Sequence, residues 1–220
     1  MRFGKRVLSM IFVLVIAATL APCALAATRE ELDQPGVFLD QQRGGACVIT
    51  STAMMLRRAE LLRGNEDWAS VTPADVPSWM PHRFTVNGLD IAHERLPGGE
   101  ANRQYLIDLL AKHPEGVVLY ARCVPHAVLL TDYTDGQFYC SDPAVCCPRD
   151  RITIDGAWGT RVENSVSIWY ITSELPALEE PKSEEEIHRE NIEVGITQDL
   201  PHTSVAALMG LTEWVDGEIA

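Results

Sequence analysis

The sequence predicts an α+β fold in which a helical part packs on a small antiparallel sheet. Residues 47–63 have apolar side chains at helical spacing, with charged ones on the opposite side. Three short apolar runs then follow closely at 117–121, 126–133 and 137–141, and an Asp-Gly pair separates the last two. Because Asp-Gly between apolar runs favours a tight reversal, these runs predict neighbouring antiparallel strands.

Residues 1–26 have the pattern of a secretory signal peptide. A head with three basic residues precedes an apolar run at 7–20, and Ala24-Leu25-Ala26 supplies the small residues that signal peptidase requires. We therefore expect a protein secreted to the periplasm or cell exterior, without a stable membrane span after cleavage, since the apolar run is short for a span. The alternative is an uncleaved N-terminal anchor.

The net charge of the chain indicates which partners it can have. Without the three basic residues of the signal peptide, the formal charge changes from −13 to −16, with 15 Lys and Arg against 31 Asp and Glu. Such an acidic protein is not expected to bind nucleic acid or an anionic membrane. A neutral or cationic substrate fits this charge better.

The first predicted helix begins at Cys47 and ends before Gly64-Asn65. Arg57, Arg58 and Glu60 belong to its polar side, which we expect to face solvent. Residues 65–99 are rich in Pro, Gly and Trp, and the pattern Thr72-Pro73-Ala74-Asp75 indicates only the start of another helix.

The remaining elements complete a domain at residues 27–176. A second amphipathic helix is predicted at 100–113, followed by the three strands named above and a last strand at 166–172. Residues 177–220 form an acidic C-terminal tail with a short apolar segment at 204–215. The tail is predicted to lie outside the core, where it is a candidate for docking a partner.

Cys47 is the first candidate catalytic residue. A thiol reacts as the thiolate, and both a helix N-terminus and a nearby imidazolium lower its pKa. The loop Gly44-Gly45 would let a substrate backbone approach, and the N–H of Cys47 could donate to a developing oxyanion. Gln41 is the predicted second oxyanion donor, with Gln42 as its rival. The alternative is that Cys47 is a small buried apolar residue.

His126 and Asp142 are the predicted partners of the thiol. His126 opens one strand and Asp142 follows the next, so a hairpin turning near Asp135 brings them to the same end of the sheet. The carboxylate would then accept the imidazole N–H and hold the tautomer that acts as a base. The alternatives are a core histidine and an aspartate that starts a turn before Pro143.

Three segments carry a family resemblance: Gln41-x5-Cys47-x2-Thr50-Ser51-x-Ala53-Met54, the run from Pro125-His126 to Thr131, and Phe138-Tyr139-Cys140-Ser141-Asp142-Pro143. They resemble the bacterial double-glycine-leader peptidase-like group of papain-fold cysteine peptidases. The resemblance implies a papain-like fold with Gln41 as oxyanion donor, Cys47 as nucleophile, His126 as base and Asp142 as the residue that orients it.

The predicted function is therefore hydrolysis of peptide or amide bonds in a peptide or protein substrate, through a Cys-His-Asp mechanism that needs no cofactor or metal. One alternative is an acyltransferase or amidase on the same scaffold. Another is a secreted, non-catalytic binding module.

Four other cysteines follow the signal peptide, at Cys123, Cys140, Cys146 and Cys147. In an oxidising compartment they are expected to form disulfides, for which three pairings are open. We expect one bridge between Cys123 and the Cys146-Cys147 end. A zinc site is the alternative.

Overall fold

A seven-stranded antiparallel sheet forms the centre of residues 27–178, the part of the chain that the structure, a computed structural model, describes. Its strands are β1 (Arg83–Val86), β2 (Leu89–Arg95), β3 (Val117–Ala121), β4 (His126–Thr134), β5 (Gln137–Asp142), β6 (Arg149–Thr153) and β7 (Ser165–Ile171). The strand order is β1-β2-β7-β3-β4-β5-β6, and all neighbouring pairs are antiparallel. The predicted α+β class is confirmed, but the prediction of a small sheet was wrong.

Three α-helices accompany the sheet within the described residues: α1 (Arg29–Leu32), α2 (Cys47–Leu62) and α3 (Ala101–Leu110). Short 3-10 turns lie at Trp68–Ser70, Pro73–Asp75 and Ile154–Gly156. The predicted helix at Cys47 is confirmed, because its first residue agrees and its last differs by one. The sequence reasoning missed α1, whose start is stabilised by reciprocal hydrogen bonds between Thr28 and Glu31.

The sheet is larger than predicted because three strands have weak sequence signals. β1 and β2 form a hairpin around Asn87-Gly88, where both residues have positive φ, 51° and 76°. This is the geometry that Asn-Gly favours in a tight hairpin turn. The third missed strand, β6, is a mostly exposed edge strand with the charged sequence Arg-Asp-Arg at its start.

Both faces of the sheet are covered in its central part. On β4, Ala127 and Leu129 belong to the apolar cluster that includes α2, whereas Val128 and Leu130 belong to the cluster that includes α3. Successive residues of a strand point to opposite faces, so residues 127–130 of β4 are apolar at every position. This explains its continuous apolar run.

The prediction that α2 exposes a charged side was wrong. Arg57, Arg58 and Glu60 are all buried, and Arg58 is 2% exposed. Its guanidinium donates to the carbonyls of Leu32, Pro114 and Glu115 at 2.9–3.1 Å and to the Asp33 carboxylate at 2.7 Å. A five-donor guanidinium can satisfy several chain segments at once, so this side of α2 lies beneath other chain segments.

None of the helices in residues 27–178 has the length and hydropathy needed to cross a bilayer. The predicted signal peptide, and the predicted tail from residue 179 onward, lie outside the described residues.

Candidate active site

Cys47 is the first residue of α2, and its side chain is buried, with 6% of the residue exposed. Ala46 precedes it and makes no side-chain capping hydrogen bond with the first turn of the helix. Gly45 has a φ of 80°, and an added Cβ there would meet no atom within 4 Å. The loop therefore leaves open space beside the helix N-terminus, and its backbone conformation favours glycine.

His126 and Asp142 meet at one end of the β4–β5 pair, as the hairpin predicts. The Nε2 atom of His126 lies 2.6 Å from Oδ1 of Asp142, and the two side chains are 2% and 1% exposed. Two backbone N–H groups also donate to this carboxylate, from Ala144 to Oδ1 at 3.0 Å and from Trp158 to Oδ2 at 2.6 Å. Burial raises the pKa of Asp142, but these hydrogen bonds outweigh it and lower the pKa below its usual value.

The imidazole of His126 lies between Asp142 and Cys47. Because Nε2 faces the carboxylate, Nδ1 is the ring nitrogen left for the thiol. Burial lowers the pKa of His126, but hydrogen bonds with Asp142 and Cys47 outweigh it and raise the pKa to about 9. The imidazolium is therefore the favoured form near neutral pH.

The pKa of the Cys47 thiol shifts in the opposite direction to that of His126. Burial raises the pKa of Cys47, but hydrogen bonding to His126 and to the backbone N–H groups of Ala127 and Val48, with the charge of His126, lowers it overall. A lowered thiol pKa beside a raised imidazole pKa favours a thiolate–imidazolium pair. Such a pair can attack an electrophilic carbon and then supply a proton.

Trp158 is a residue of this site that sequence reasoning missed. Its ring stands edge-on to the His126 ring, at a centroid distance of 5.1 Å and an interplanar angle of 83°. Its backbone N–H also fixes Asp142, so one residue covers the imidazole and holds the carboxylate. The sequence offered one signal for this residue. Trp158 is a large aromatic side chain within the short glycine-rich segment Gly156-Ala157-Trp158-Gly159, where such side chains are uncommon.

Gln41 is buried beside the Asp142 segment, and its backbone N–H donates to the carbonyl of Pro143 at 2.9 Å. Its side-chain Oε1 is buried without a hydrogen-bond partner among the described residues. Gln42, in contrast, is exposed, and its amide donates to Asp40 at 2.9 Å. Of the two predicted oxyanion donors, Gln41 is the one next to the residues that hold His126.

A cleft of about 560 Å³ adjoins the N-terminal turn of α2. One wall consists of residues 73–79, and the other side comprises Asp40, Gln42, Arg43, Ala46, Ile49 and Thr50. Trp79, on the rim, is 77% exposed. The cleft thus begins one residue before Cys47 and has both apolar and charged lining.

The five cysteines in residues 27–178 are all unpaired. Cys140 is fully buried in the apolar cluster beside α3, and Cys123 is exposed in the turn between β3 and β4. The disulfide between Cys123 and the Cys146-Cys147 end stays a prediction. Within the described residues, no group of three His, Cys, Asp or Glu side chains is arranged to hold a metal ion, as the zinc alternative would require.

Comparison of the chain with family models, with curated proteins and with solved structures finds no match. The function proposed below therefore depends on the geometry of Cys47, His126 and Asp142.

Proposed function

We propose that this protein is an exported cysteine peptidase of papain-like architecture that hydrolyses peptide or amide bonds. The observation that carries the proposal is the buried His126–Asp142 hydrogen bond, at 2.6 Å, beside a cysteine at a helix N-terminus. Each of the three residues has the pKa direction that a nucleophile, a base and an orienting carboxylate require.

In the proposed mechanism, the Cys47 thiolate attacks the carbonyl carbon of the scissile bond, and the carbonyl oxygen becomes an oxyanion. His126 then gives its proton to the leaving amine as the C–N bond breaks, which leaves an acyl-enzyme. A water molecule loses a proton to the imidazole and attacks the thioester, and the thiolate leaves to restore the starting ion pair.

The oxyanion donors in this mechanism are the backbone N–H of Cys47 and the side-chain amide of Gln41. The Cys47 N–H belongs to the first turn of α2, where backbone donors lack intrahelical partners. The Gln41 side chain is buried beside the segment that contains Asp142, and its Nε2 is the atom that would donate to the oxyanion. Loss of one oxyanion donor typically lowers kcat by a factor of about 100 to 1,000.

A peptide or protein is the substrate class that suits this site best. The cleft beside Ala46 is large enough for side chains of an extended chain, and the open space at Gly45 lets a substrate backbone approach the thiol. The exposed rings of Trp79 and Trp158 provide apolar contact area, one on the rim of the cleft and one over His126.

A merely structural role for these side chains is less favourable on energetic grounds. Burial of a charged imidazole, a carboxylate and a thiolate costs free energy that well-packed apolar side chains of the same size would avoid. A reaction that uses these three charged groups would account for the free energy that their burial costs.

The test is intact-mass labelling with iodoacetamide between about pH 5 and 7, where an ordinary thiol is protonated. The wild-type protein should acquire one rapid label that maps to Cys47, and Cys47→Ala should lose it. Cys123→Ser is the matched control, because it removes an exposed cysteine outside the site and should keep the rapid label. A wild-type Cys47 that labels no faster than Cys123 would contradict the proposal.

Cleavage of a peptide library then separates hydrolysis from transfer. Products made with and without an added amine distinguish water from an amine as the acyl acceptor. A reactive Cys47 without any turnover would favour a binding role.

A further inference from the structure

The loop between β5 and β6 contains two adjacent cysteines that the proposed mechanism does not use. The sulfurs of Cys146 and Cys147 lie 3.1 Å apart. Cys146 is exposed and Cys147 is half-buried. A small molecule in solution can therefore reach the pair, unlike Cys140, which is fully buried.

The backbone of this loop is fixed on the N-terminal side of the pair. The N–H of Cys147 donates to the carbonyl of Ala144 at 3.1 Å, and the N–H of Ala144 donates to Asp142. The carbonyl of Pro143 accepts the N–H of Gln41. These contacts hold the loop in the conformation that keeps the two sulfurs 3.1 Å apart. A bond of about 2 Å therefore needs a further approach of roughly 1 Å and a local adjustment of the 146–147 backbone, because adjacent Cα atoms are closer than those of most disulfides.

One other bridge among the four cysteines, between Cys123 and Cys140, does not fit this fold. Cys140 pairs in register with Leu130, while Cys123 lies in the turn beyond His126, at the far end of β4. Four residues of strand separate Leu130 from His126, which is about 13 Å. Cα atoms joined by a disulfide are within about 7 Å of each other, so Cys123 and Cys140 are too far apart.

We propose that Cys146 and Cys147 form a redox-active dithiol that small-molecule disulfides oxidise to a vicinal disulfide. The Cys146 thiolate attacks one sulfur of the small disulfide, which forms a mixed disulfide and releases one small thiolate. The sulfur of Cys147, after loss of its proton, then attacks the sulfur of Cys146 and displaces the second small thiolate. The pair loses two electrons and two protons, and the small disulfide gains them as two thiols.

The order of attack follows from the environment of each thiol. Cys146 is the more exposed of the two, so the small disulfide reaches it first. A hydrogen bond between the pair raises the pKa of Cys147 above its ordinary value, which makes Cys147 the poorer first nucleophile. Cys147 is therefore suited to the second, intramolecular step, in which its partner sulfur is already adjacent.

This inference stands apart from the peptidase proposal, because it concerns other sulfurs and a different readout. The two are linked in space, however. Residues 143 and 144 of the same loop form hydrogen bonds with Gln41 and with the Asp142 carboxylate.

The test uses the full chain, reduced and then exposed to oxidised glutathione near neutral pH. After an acid quench, denaturation and alkylation with N-ethylmaleimide, intact mass and peptide mapping report the state of each cysteine. The peptide that contains Cys146 and Cys147 should carry neither alkyl group nor glutathione. Cys146→Ser should instead retain one glutathione on Cys147, and Cys123→Ser, the matched control, should behave as wild type.

Three outcomes overturn the proposal: stable glutathione adducts on the wild-type pair, a bridge from the pair to Cys123, or two thiols that remain unmodified. A second measurement uses phenylarsine oxide, which captures two adjacent thiols together. Phenylarsine oxide should protect both cysteines of the reduced wild-type pair from alkylation. In Cys146→Ser, the remaining Cys147 should be alkylated despite the reagent. Equal protection in the two proteins also counts against the proposal.

Discussion

Replacement of Asp142 by Asn removes the negative charge of this side chain and keeps its shape, so the variant measures what the charge contributes. The Oδ1 atom accepts hydrogen bonds from His126 and Ala144, and Oδ2 accepts one from Trp158. An amide has one acceptor atom, so at least one of the three donors must face an NH₂ group. A buried donor without a partner costs about 1–3 kcal/mol, which is the loss in unfolding free energy expected for Asp142→Asn.

The same substitution should lower the pKa of His126 from its value of about 9. A hydrogen bond to a charged group contributes roughly 1.5–3 kcal/mol, which corresponds to about one to two pKa units. We therefore expect the pKa of His126 to fall to roughly 7–8 in Asp142→Asn, with a matching rise in the pKa of Cys47.

Two measurements follow this change. The imidazole C–H resonance of His126, assigned by its absence in His126→Ala, gives the pKa in each protein, and urea denaturation gives the unfolding free energy. Asp142→Glu is a useful control because it keeps the negative charge and moves it by one methylene group. The reasoning is refuted if the His126 pKa of Asp142→Asn equals that of wild type, since the carboxylate would then not hold the proton on the ring.

Three further predictions concern other parts of the molecule. Arg58→Met should lower the unfolding free energy by about 3–5 kcal/mol in urea denaturation, because it removes the buried donor of three carbonyls and leaves the buried Asp33 carboxylate with only the exposed Arg151 as its charge partner. Gln41→Ala should lower kcat for peptide cleavage about 100- to 1,000-fold, whereas Gln42→Ala should stay near wild type because its amide faces Asp40. In Cys47→Ala, the stability contributed by protonated His126 should be fully present below about pH 6.5 and lost as the pH rises, because Asp142 still keeps the folded-state pKa above the unfolded one. The loss should be complete at a lower pH than in wild type, where Cys47 also contributes to the pKa of about 9.

Each of these predictions has an outcome that contradicts it. A small effect of Arg58→Met, similar to that of Arg63→Met on the exposed side chain nearby, would mean that the buried contacts of Arg58 are readily replaced. Equal losses of kcat in Gln41→Ala and Gln42→Ala would show that Gln41 is not the oxyanion donor. Stability of Cys47→Ala that is constant from pH 6 to 9 would show that His126 does not gain its proton through folding.

The sequence predicted the positions of Cys47, His126 and Asp142 in the fold better than it predicted the size of the sheet. Cys47 stands between a glycine loop and a long apolar periodicity, so the start of its helix was unambiguous. His126 and Asp142 flank a hairpin whose Asp-Gly turn brings them to the same end of the sheet, although a bulge between Leu130 and Asp132 shifts the register of the two strands. Local sequence signals were enough to position these three residues, because each residue lies near a turn or a helix end that the sequence itself marks.

What the sequence could not predict depends on contacts between distant segments. The charges of Arg57 and Arg58 suggest solvent, but carbonyls far away in the chain satisfy them in the interior. Trp158 contacts His126 across 32 positions of sequence, and nothing near it indicates that partner. β6 forms because β5 offers it an edge, despite its charged residues.

The position of β7 has a consequence for how the protein matures. The last strand in the chain lies between β2 and β3, so the N-terminal hairpin and the β3–β6 meander have no shared neighbour until residue 171 has emerged. Helix α2 spans this junction, since its apolar cluster includes residues of β2, β4 and β7. A chain still being synthesised or translocated therefore lacks a completed support beneath Cys47. Under the proposed function, the thiol should therefore gain its reactivity only when the strand made last is inserted.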